Sequence, residues 1–382
     1  MQFSAHRDAL LAALAPSVDL TVKNSSAPVL AYVLIEVDKH GTVSATGTNL
    51  LATMTRTVQG AETRPGSVCA PGRDLDKILR LMPAGDVRLS AAVNSDITLE
   101  SLVPRKKVRV QLRGLHAIDF PKLDKVDLDG CKPAVMRVAD LRALADAVLY
   151  AASKDAHRTH LGVMHIEREA GGLLHAVTTD GHRLCHASAQ VPFPATSTAG
   201  TGIPARSMQS LLDALPEEGS VALQLAPGYL VAVCGPLRAT LKLVADPFPA
   251  WRNIIPAEFT HTCTIARTDV ALLLARAETL AAAKTGSTGF TFSAKEGGEL
   301  AVSVDNPDQG AMKDSVAEGV AVSGDEIRLS LNARYIDEAI QHLQGEQVTF
   351  GTRGKLEVVH LSTGGTHDND FRAIALVMPM AN

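Results

Sequence analysis

Three times along this chain an arginine is followed by apolar residues at the same three offsets. Arg73 leads Leu75, Leu79 and Met82; Arg206 leads Met208, Leu212 and Leu215; Arg334 leads Ile336, Ile340 and Leu343. Steps of four and then three put each trio on one face of a helix. The helices open on Pro71-Gly72-Arg73-Asp74-Leu75, Pro204-Ala205-Arg206-Ser207-Met208 and Asn332-Ala333-Arg334-Tyr335-Ile336. Each runs into a glycine turn (Gly85, Gly219, Gly345), and a valine (Val87, Val221, Val348) then begins a strand.

An earlier helix precedes each of these. Its apolar positions are Leu10, Leu11 and Leu14 in the first case, Leu141, Leu144 and Val148 in the second, and Val270, Leu273, Leu274 and Ala277 in the third. Asp8, Asp140 and Asp269 sit in the first turns, where the helix dipole favours an anion. From aspartate to arginine the distance is 65, 66 and 65 residues, and the arginines themselves are 133 and 128 residues apart, close to a third of 382. The chain is a threefold repeat, with a period too long for a solenoid and suited to ordinary domains.

Between the helices the pattern alternates with period two. Segments 29–37 and 42–47 flank Lys39-His40-Gly41, 161–166 and 173–177 flank Ala170-Gly171-Gly172, and 290–293 and 300–304 flank Gly297-Gly298. These are hairpins. A strand in each repeat ends in a polar corner: Thr48-Asn49, Thr179-Asp180 and Asp305-Asn306. Two helices on one face of antiparallel sheets make an α+β module. Proline-rich joints, Asp119-Phe120-Pro121-Lys122-Leu123 and Asp246-Pro247-Phe248-Pro249-Ala250-Trp251 running on to Pro256, predict domains 1–127, 128–257 and 258–382.

Composition narrows the class. Apolar residues make up 46%, enough for a core in each module, and no run is long enough to span a bilayer. The start, Met-Gln-Phe-Ser-Ala-His-Arg-Asp, has no signal-peptide pattern. Cys69, Cys131, Cys185, Cys234 and Cys263 form no CxxC pair, and their odd number predicts a reducing, cytoplasmic setting. A net charge of −4, from 37 basic and 41 acidic residues, is unlike a dedicated sequence reader of DNA and compatible with a local basic patch. On the second helix of the first module Arg73, Lys77 and Arg80 form one basic stripe opposite Leu75, Ile78, Leu79 and Met82. Arg206 and Arg334 recur at the equivalent place, and Arg142, Lys154, Arg158, Arg276 and Lys284 lie on or after the first helices. A stripe of this kind is either a solvated face or a surface that meets phosphates without reading bases.

With Thr179-Asp180-Gly181-His182-Arg183-Leu184, the Asp-Phe-Pro and Pro-Phe-Pro joints and the ending Val377-Met378-Pro379-Met380, the whole chain resembles the bacterial DNA polymerase III beta subunit, the sliding clamp family. The resemblance implies a head-to-tail homodimer of six clamp domains, helices towards the hole and sheets outside, closed around duplex DNA. It implies partners with peptide tails: the polymerase III alpha subunit, an ATP-driven loader and others. It implies no catalysis, no cofactor, no metal and no membrane. The matching peptide-pocket positions are Leu161, Thr179, Gly181, His182, Arg183, Leu184, Pro249, Ile254, Leu376, Met378, Pro379 and Met380. The aliphatic members form a socket for Leu and Phe anchors, and His182 and Arg183 supply polar rim contacts. Lys23 lies where the family carries a DNA-touching base, with Asn24 at the aligned position. Val110 and Leu112 match the dimer edge strand, and Thr279 and Leu280 its partner helix. The ending Ala381-Asn382 lacks the family's cation and apolar residue, and Thr279 is less apolar than usual there; both predict altered peptide preference and a looser ring.

Other readings remain beside this one. A clamp-fold paralogue outside the main replicase, of phage, plasmid, repair or resistance origin, fits the same residues. His182 beside Asp180 resembles a hydrolase pair, yet Asn49 and Asp305-Asn306 fill that corner in modules without the histidine. Lys284-Thr285-Gly286 resembles a β-lactamase box, without the Ser-x-x-Lys nucleophile. His157-x-x-His160 and His367-Asp368-Asn369-Asp370 have metal-like composition and no third ligand nearby. No GxxxxGK[ST] is present, so the chain is not the loader ATPase.

Overall fold

The three-dimensional structure is a computed structural model. It describes residues 1–382 apart from 24–25, 122–124, 197–199, 281–286, 295–296, 365–369 and 381–382. Asn24, Lys122-Leu123, Lys284-Thr285-Gly286, His367-Asp368-Asn369 and Ala381-Asn382 thus lie outside the described residues.

Six helices appear among the described residues: α1 (Arg7–Asp19), α2 (Gly72–Leu81), α3 (Val138–Asp146), α4 (Ala205–Ala214), α5 (Arg267–Glu278) and α6 (Ala333–His342). The three apolar trios are buried at all nine positions, and on the first helices only Leu11 is half-buried rather than buried. Local chemistry sets the ends. His6 Nδ1 accepts the Asp8 N–H at 3.3 Å, and Asn332 Oδ1 accepts the Arg334 N–H at 3.1 Å. Pro16 lies inside α1 and has no N–H for the Ala12 carbonyl; the Arg56 guanidinium reaches that carbonyl at 3.4 Å. Gly47 lets α1 lie directly on its sheet, since a Cβ there would come within 2.2 Å of the Ser17 carbonyl oxygen.

The chain divides into two compact units, residues 1–139, 193–195 and 206–243, and residues 140–192, 196–205 and 244–382. The first unit contains a five-stranded sheet and an eight-stranded one. In the larger sheet Leu237–Lys242, from the middle repeat, pairs antiparallel with Ala52–Gln59 of the first. The second unit contains a nine-stranded sheet and a four-stranded one. In its larger sheet Arg183–Gln190, from the middle repeat, pairs antiparallel with Arg372–Val377 of the third. The middle repeat contributes strands to both units.

The core of the first unit gathers Phe3, Leu10, Leu14, Ile35, Leu75, Leu79 and Leu89. In the second, the Phe290 and Phe292 rings lie 6.3 and 5.7 Å from Phe350. The strands expected from 290 and 300 begin earlier, at Ser287 and Glu299, and two others begin later. Pro28–Ala31 is a 3-10 turn before the strand Tyr32–Val37, because Pro28 fixes φ and offers no ladder donor. Thr159–Leu161 is also a 3-10 turn, closed by the Leu161 N–H on Arg158 O at 2.9 Å, and the strand begins at Val163.

Candidate partner and nucleic-acid interfaces

The strands Thr42–Thr48 and Leu173–Thr179 end in the same hydrogen-bonded corner. Thr48 Oγ1 donates to Ala52 O at 3.0 Å and accepts the Leu50 N–H at 3.1 Å. Asn49 Oδ1 accepts the N–H groups of Leu51 (3.0 Å) and Ala52 (2.7 Å). In the second corner Thr179 Oγ1 donates to Arg183 O at 2.6 Å and accepts the Gly181 N–H at 3.1 Å. Asp180 Oδ1 accepts the N–H groups of His182 (2.9 Å) and Arg183 (3.1 Å). Asn306 makes a shorter version, its Oδ1 on the Asp308 N–H at 3.1 Å. These are Asx and Thr turns with a structural task. The second Asp180 oxygen takes the Arg183 Nε at 3.0 Å, so the carboxylate serves Arg183 and the backbone, while His182 points to solvent. No Asp–His hydrolase pair is formed.

Behind the second corner, Leu184 lies opposite Leu376 across the strand pair. Both are buried with Val177, Val358 and Trp251, and Phe248 and Ile255 pack against the group. The Met378 N–H donates to His182 O at 2.9 Å, which ties the chain end to the corner. Met378 and Ile254 leave 44% and 42% of their surface exposed over this buried patch, and Pro249, Gly181 and His182 are exposed. Pro379 and Met380 are half-buried, and the Met380 N–H donates to Ser330 O at 2.8 Å. Leu161 and Thr179 are buried, the former in its own 3-10 turn.

The rim role expected of the Arg183 guanidinium does not hold. It is buried and fully engaged: Nε on Asp180, Nη2 on Tyr150 O at 3.0 Å, and Nη1 on Glu338. The Tyr335 ring lies 4.5 Å from it. Burial raises the Glu338 carboxyl, but Arg183 and Arg334 outweigh this and hold it below its ordinary value. Glu338 is 155 residues from Arg183, and no local pattern could have announced the pair.

The joint at 246–256 reads as a linker in sequence and is anchored in the structure. Trp251 Nε1 donates to Glu167 Oε1 at 3.1 Å, and Arg252 reaches Glu167 and Glu169. His186 stacks on the Trp251 ring at 4.8 Å and shares a 3.0 Å hydrogen bond with His175 Nδ1. His165 stacks on Phe248 at 4.5 Å. Burial pushes all three imidazoles down, His186 to about 3 with His175 and Arg252 adding to the effect. Pro249 and Ile254 are thereby held in place through a packed neighbour.

The candidate cations are mostly exposed, as Lys23, Arg73, Lys77, Arg80, Lys154, Arg158, Arg206, Arg276 and Arg334 show; Arg142 is half-buried. The stripe on α2 is mixed rather than purely basic. Arg80 binds Asp76 of the same helix through Nε and Nη2, at 2.8 and 3.0 Å. Arg334 pairs with Glu338 at 3.1 Å, Arg276 with Asp314 at 2.5 Å and Arg158 with Asp155 at 3.8 Å. Arg73 leans on Thr21, 3.4 Å from its hydroxyl and its carbonyl. Burial, then Asp213 and Asp76, raise the Asp19 carboxyl beside this group. Exposed pairs of this kind open at little cost when a phosphate competes for the cation.

Each of the four sheets ends in two outer strands, and two of these bear on the expected dimer contact. Arg109–Arg113 is one outer strand of the five-stranded sheet, and Gly310–Val316 is one outer strand of the four-stranded sheet. Val110 and Leu112 are half-buried against the first unit's core. Thr279 is exposed and its hydroxyl caps α5 on Arg276 O at 2.6 Å; Leu280 is half-buried, and its carbonyl accepts from Asn306 Nδ2 at 2.8 Å. No group of three metal-ligating side chains is placed to hold an ion among the described residues, His157 and His160 included. Burial raises the thiols of Cys69 (about 11), Cys185 (about 12) and Cys263 (about 12), which makes them unreactive.

Three family models match in order along the chain. They are the DNA polymerase III beta subunit N-terminal domain over 1–124, its central domain over 136–250 and its C-terminal domain over 252–381. The chain belongs to the DNA polymerase III beta subunit family. A beta sliding clamp from Synechocystis sp. is 28% identical over 375 residues, covering 92% of each chain. One from Pseudomonas aeruginosa is 28% identical over 384 residues and covers both chains in full. The crystal structure of the DNA polymerase III subunit beta from Pseudomonas aeruginosa matches with a TM-score of 0.88 at 24% identity, over all of both chains. A DNA polymerase sliding clamp from Bacillus subtilis gives 0.89 at 18% identity, over 100% of this chain and 99% of that one. In this beta subunit the three matched domains meet at 125–135 and at 251, beside the two proline-rich joints.

Proposed function

We propose that the protein is a replicative sliding clamp, a non-catalytic and cofactor-free subunit that encircles duplex DNA and tethers the polymerase. The observation that carries this is the match of all three beta subunit domains, in order, across nearly the whole chain. In this reading the domains are 1–127, 128–257 and 258–382, and two copies close head to tail. The open edge Arg109–Arg113 of one copy would pair with the open edge Gly310–Val316 of the other, with Val110, Leu112, Thr279 and Leu280 nearby. A heterologous contact of this kind closes into a ring when the rotation permits. The lysines and arginines of the helices would meet phosphates without base contacts, giving mobile, salt-sensitive binding. Those already paired to carboxylates make that binding weaker still.

Partner tails would dock on the exposed Met378 and Ile254 over the Leu184–Leu376 floor, with Gly181 and His182 at the rim. Methionine suits a socket that accepts several ligands. No helix among the described residues is long and apolar enough to cross a membrane; a cytoplasmic place beside the replicase fits the unpaired cysteines. The test is topological. Labelled protein, loaded by a purified loader ATPase onto a nicked circular plasmid, should remain bound through gel filtration and be lost when the plasmid is cut to a linear form. Retention on the linear DNA, or no retention on the circle, would overturn the reading.

A further inference from the structure

One carboxylate joins the buried arginine behind the peptide corner to an exposed cation on α6. Glu338 Oε2 accepts from Arg183 Nη1, and Glu338 Oε1 accepts from Arg334 Nε at 3.1 Å. Arg334 and Glu338 are four residues apart on α6, so the helix itself sets them side by side. Exposure rises along this line: the Arg183 side chain leaves 8% of its surface open, Glu338 26% and Arg334 73%. One end can reach a ligand, and the other is sealed in the protein.

The sealed end holds the turn. Asp180 Oδ2 takes Arg183 Nε at 3.0 Å, and Asp180 Oδ1 takes the His182 and Arg183 N–H groups at 2.9 and 3.1 Å. Arg183 Nη2 is pinned on Tyr150 O, and the ring of Tyr335, next to Arg334 in sequence, lies 4.5 Å from the guanidinium. A change in the pull of Glu338 on Arg183 is therefore felt at Asp180 and along the backbone of His182. That backbone holds the chain end, through His182 O and the Met378 N–H at 2.9 Å. The first corner keeps the turn and lacks the relay. Leu50, 51% exposed, takes φ +72° where Gly181 takes +92°. Ala52 O accepts the threonine hydroxyl where Arg183 O does, and alanine carries no cation.

We propose that Glu338 is a positioning residue that couples phosphate contact at Arg334 to peptide docking at the Gly181–Met378 corner, so that the DNA-bound protein holds partner tails more tightly than the free protein. Both ligands belong to the sliding-clamp reading, on which this coupling rests. Without DNA, two cations share one carboxylate. A backbone phosphate that takes Arg334 leaves the Glu338 charge to Arg183 alone, and a carboxylate serving one cation makes the stronger charge-assisted hydrogen bond. Arg183 then fixes Asp180 and the turn, which lowers the ordering cost of docking. Glu278, at the end of α5, competes for the same cation: burial and Asp337 raise its carboxyl, and Arg334 works the other way. The phosphate competes best at low salt. By linkage the peptide tightens DNA binding by the same factor.

The test is fluorescence anisotropy of a fluorescein-labelled short peptide ending in Leu-Phe, titrated at low salt with the full-length protein alone and with saturating blunt duplex DNA. The wild type should bind the peptide about fivefold more tightly with duplex. Arg334→Ala, which leaves Glu338 to Arg183 in the same way, should bind it that tightly without duplex and gain little on adding it. Glu338→Gln should bind the peptide less well and lose the response, while duplex still binds through the other helix cations. Arg334 is exposed, so its variant reads the coupling even where Glu338→Gln folds poorly. Peptide and duplex that each bind the wild type without affecting one another would overturn the coupling and leave the clamp reading standing. So would weaker peptide binding with duplex, or Arg334→Ala binding the peptide no better than the wild type without duplex. A wild type that fails to bind one of the two ligands would overturn the clamp reading, and the coupling with it.

Discussion

The corners at Thr48 and Thr179 share a backbone and part company in the side chains laid over it. Both are closed by a threonine hydroxyl and an Asx carbonyl or carboxylate, and both receive an N–H from the neighbouring repeat's strand. Over the second lie Leu184, Leu376, Met378 and a buried Arg183 network; over the first lie Thr53, Thr240, Lys242 and the small Ala52. The repeat supplies one backbone corner twice, and the seam positions set which side chains lie over each. Turn chemistry fixes the scaffold, and cross-strand pairs set the surface it presents.

The sharpest difference is Arg183 against Ala52. Arg183→Ala leaves Asp180 and Glu338 without their shared cation in a buried setting, and should cost about 3 kcal/mol in urea unfolding. Ala52→Gly, at the equivalent site, should cost about 1 kcal/mol. Equal losses at the two sites would mean that the network holds nothing together.

Exchanging the floors comes next. Leu184→Thr opens the buried patch under Trp251 and should cost about 2 to 3 kcal/mol. Met378→Lys, which copies the first corner, should weaken a Leu- and Phe-anchored polymerase-tail peptide by about tenfold in anisotropy titrations. Unchanged affinity would remove Met378 from the proposed socket.

The two seams should also respond differently to acid. Burial, then His175 and Arg252, push His186 from its ordinary 6.5 to about 3, while Thr55 at the equivalent position does not titrate. Between about pH 6.5 and about pH 3 the unfolded chain therefore binds the extra proton. The stability from the neutral imidazole is complete above about pH 6.5 and falls with acidification through that window, by up to about 1.4 kcal/mol per pH unit. Trp251 is the single tryptophan, so its fluorescence reports the stacked pair directly. Acidification to pH 5 should lower the urea midpoint, and His186→Phe should flatten that dependence.

The smallest effect is at the turn itself. Leu50→Gly removes left-handed strain and should stabilise by up to about 1 kcal/mol, whereas Gly181→Leu should destabilise by a similar amount. A loss on Leu50→Gly would show that the leucine packs more than its exposure suggests.

Much of this architecture was legible in the chain. The arginine-led trios at fixed offsets located three helices whose apolar faces are all buried, and the Thr-Asn and Thr-Asp pairs marked two corners. What escaped was long-range. Glu338 reaches Arg183 across 155 residues, and Arg238 meets Thr55 only through a strand pairing between repeats. Periodicity reports which face of an element is buried and says nothing of which distant strand will cover it. The basic stripe on α2 is visible in the sequence, whereas the Asp76 carboxylate binding back to Arg80 emerges only in the structure. Pro28 also overrode the alternating pattern of 29–31 with a turn.

The most direct test of the sliding-clamp reading is the solution mass, by sedimentation at micromolar and then nanomolar concentration. A closed ring predicts twice the 40.3 kDa of the chain, surviving dilution. A monomer at every concentration would contradict it, since the proposed ring takes two copies.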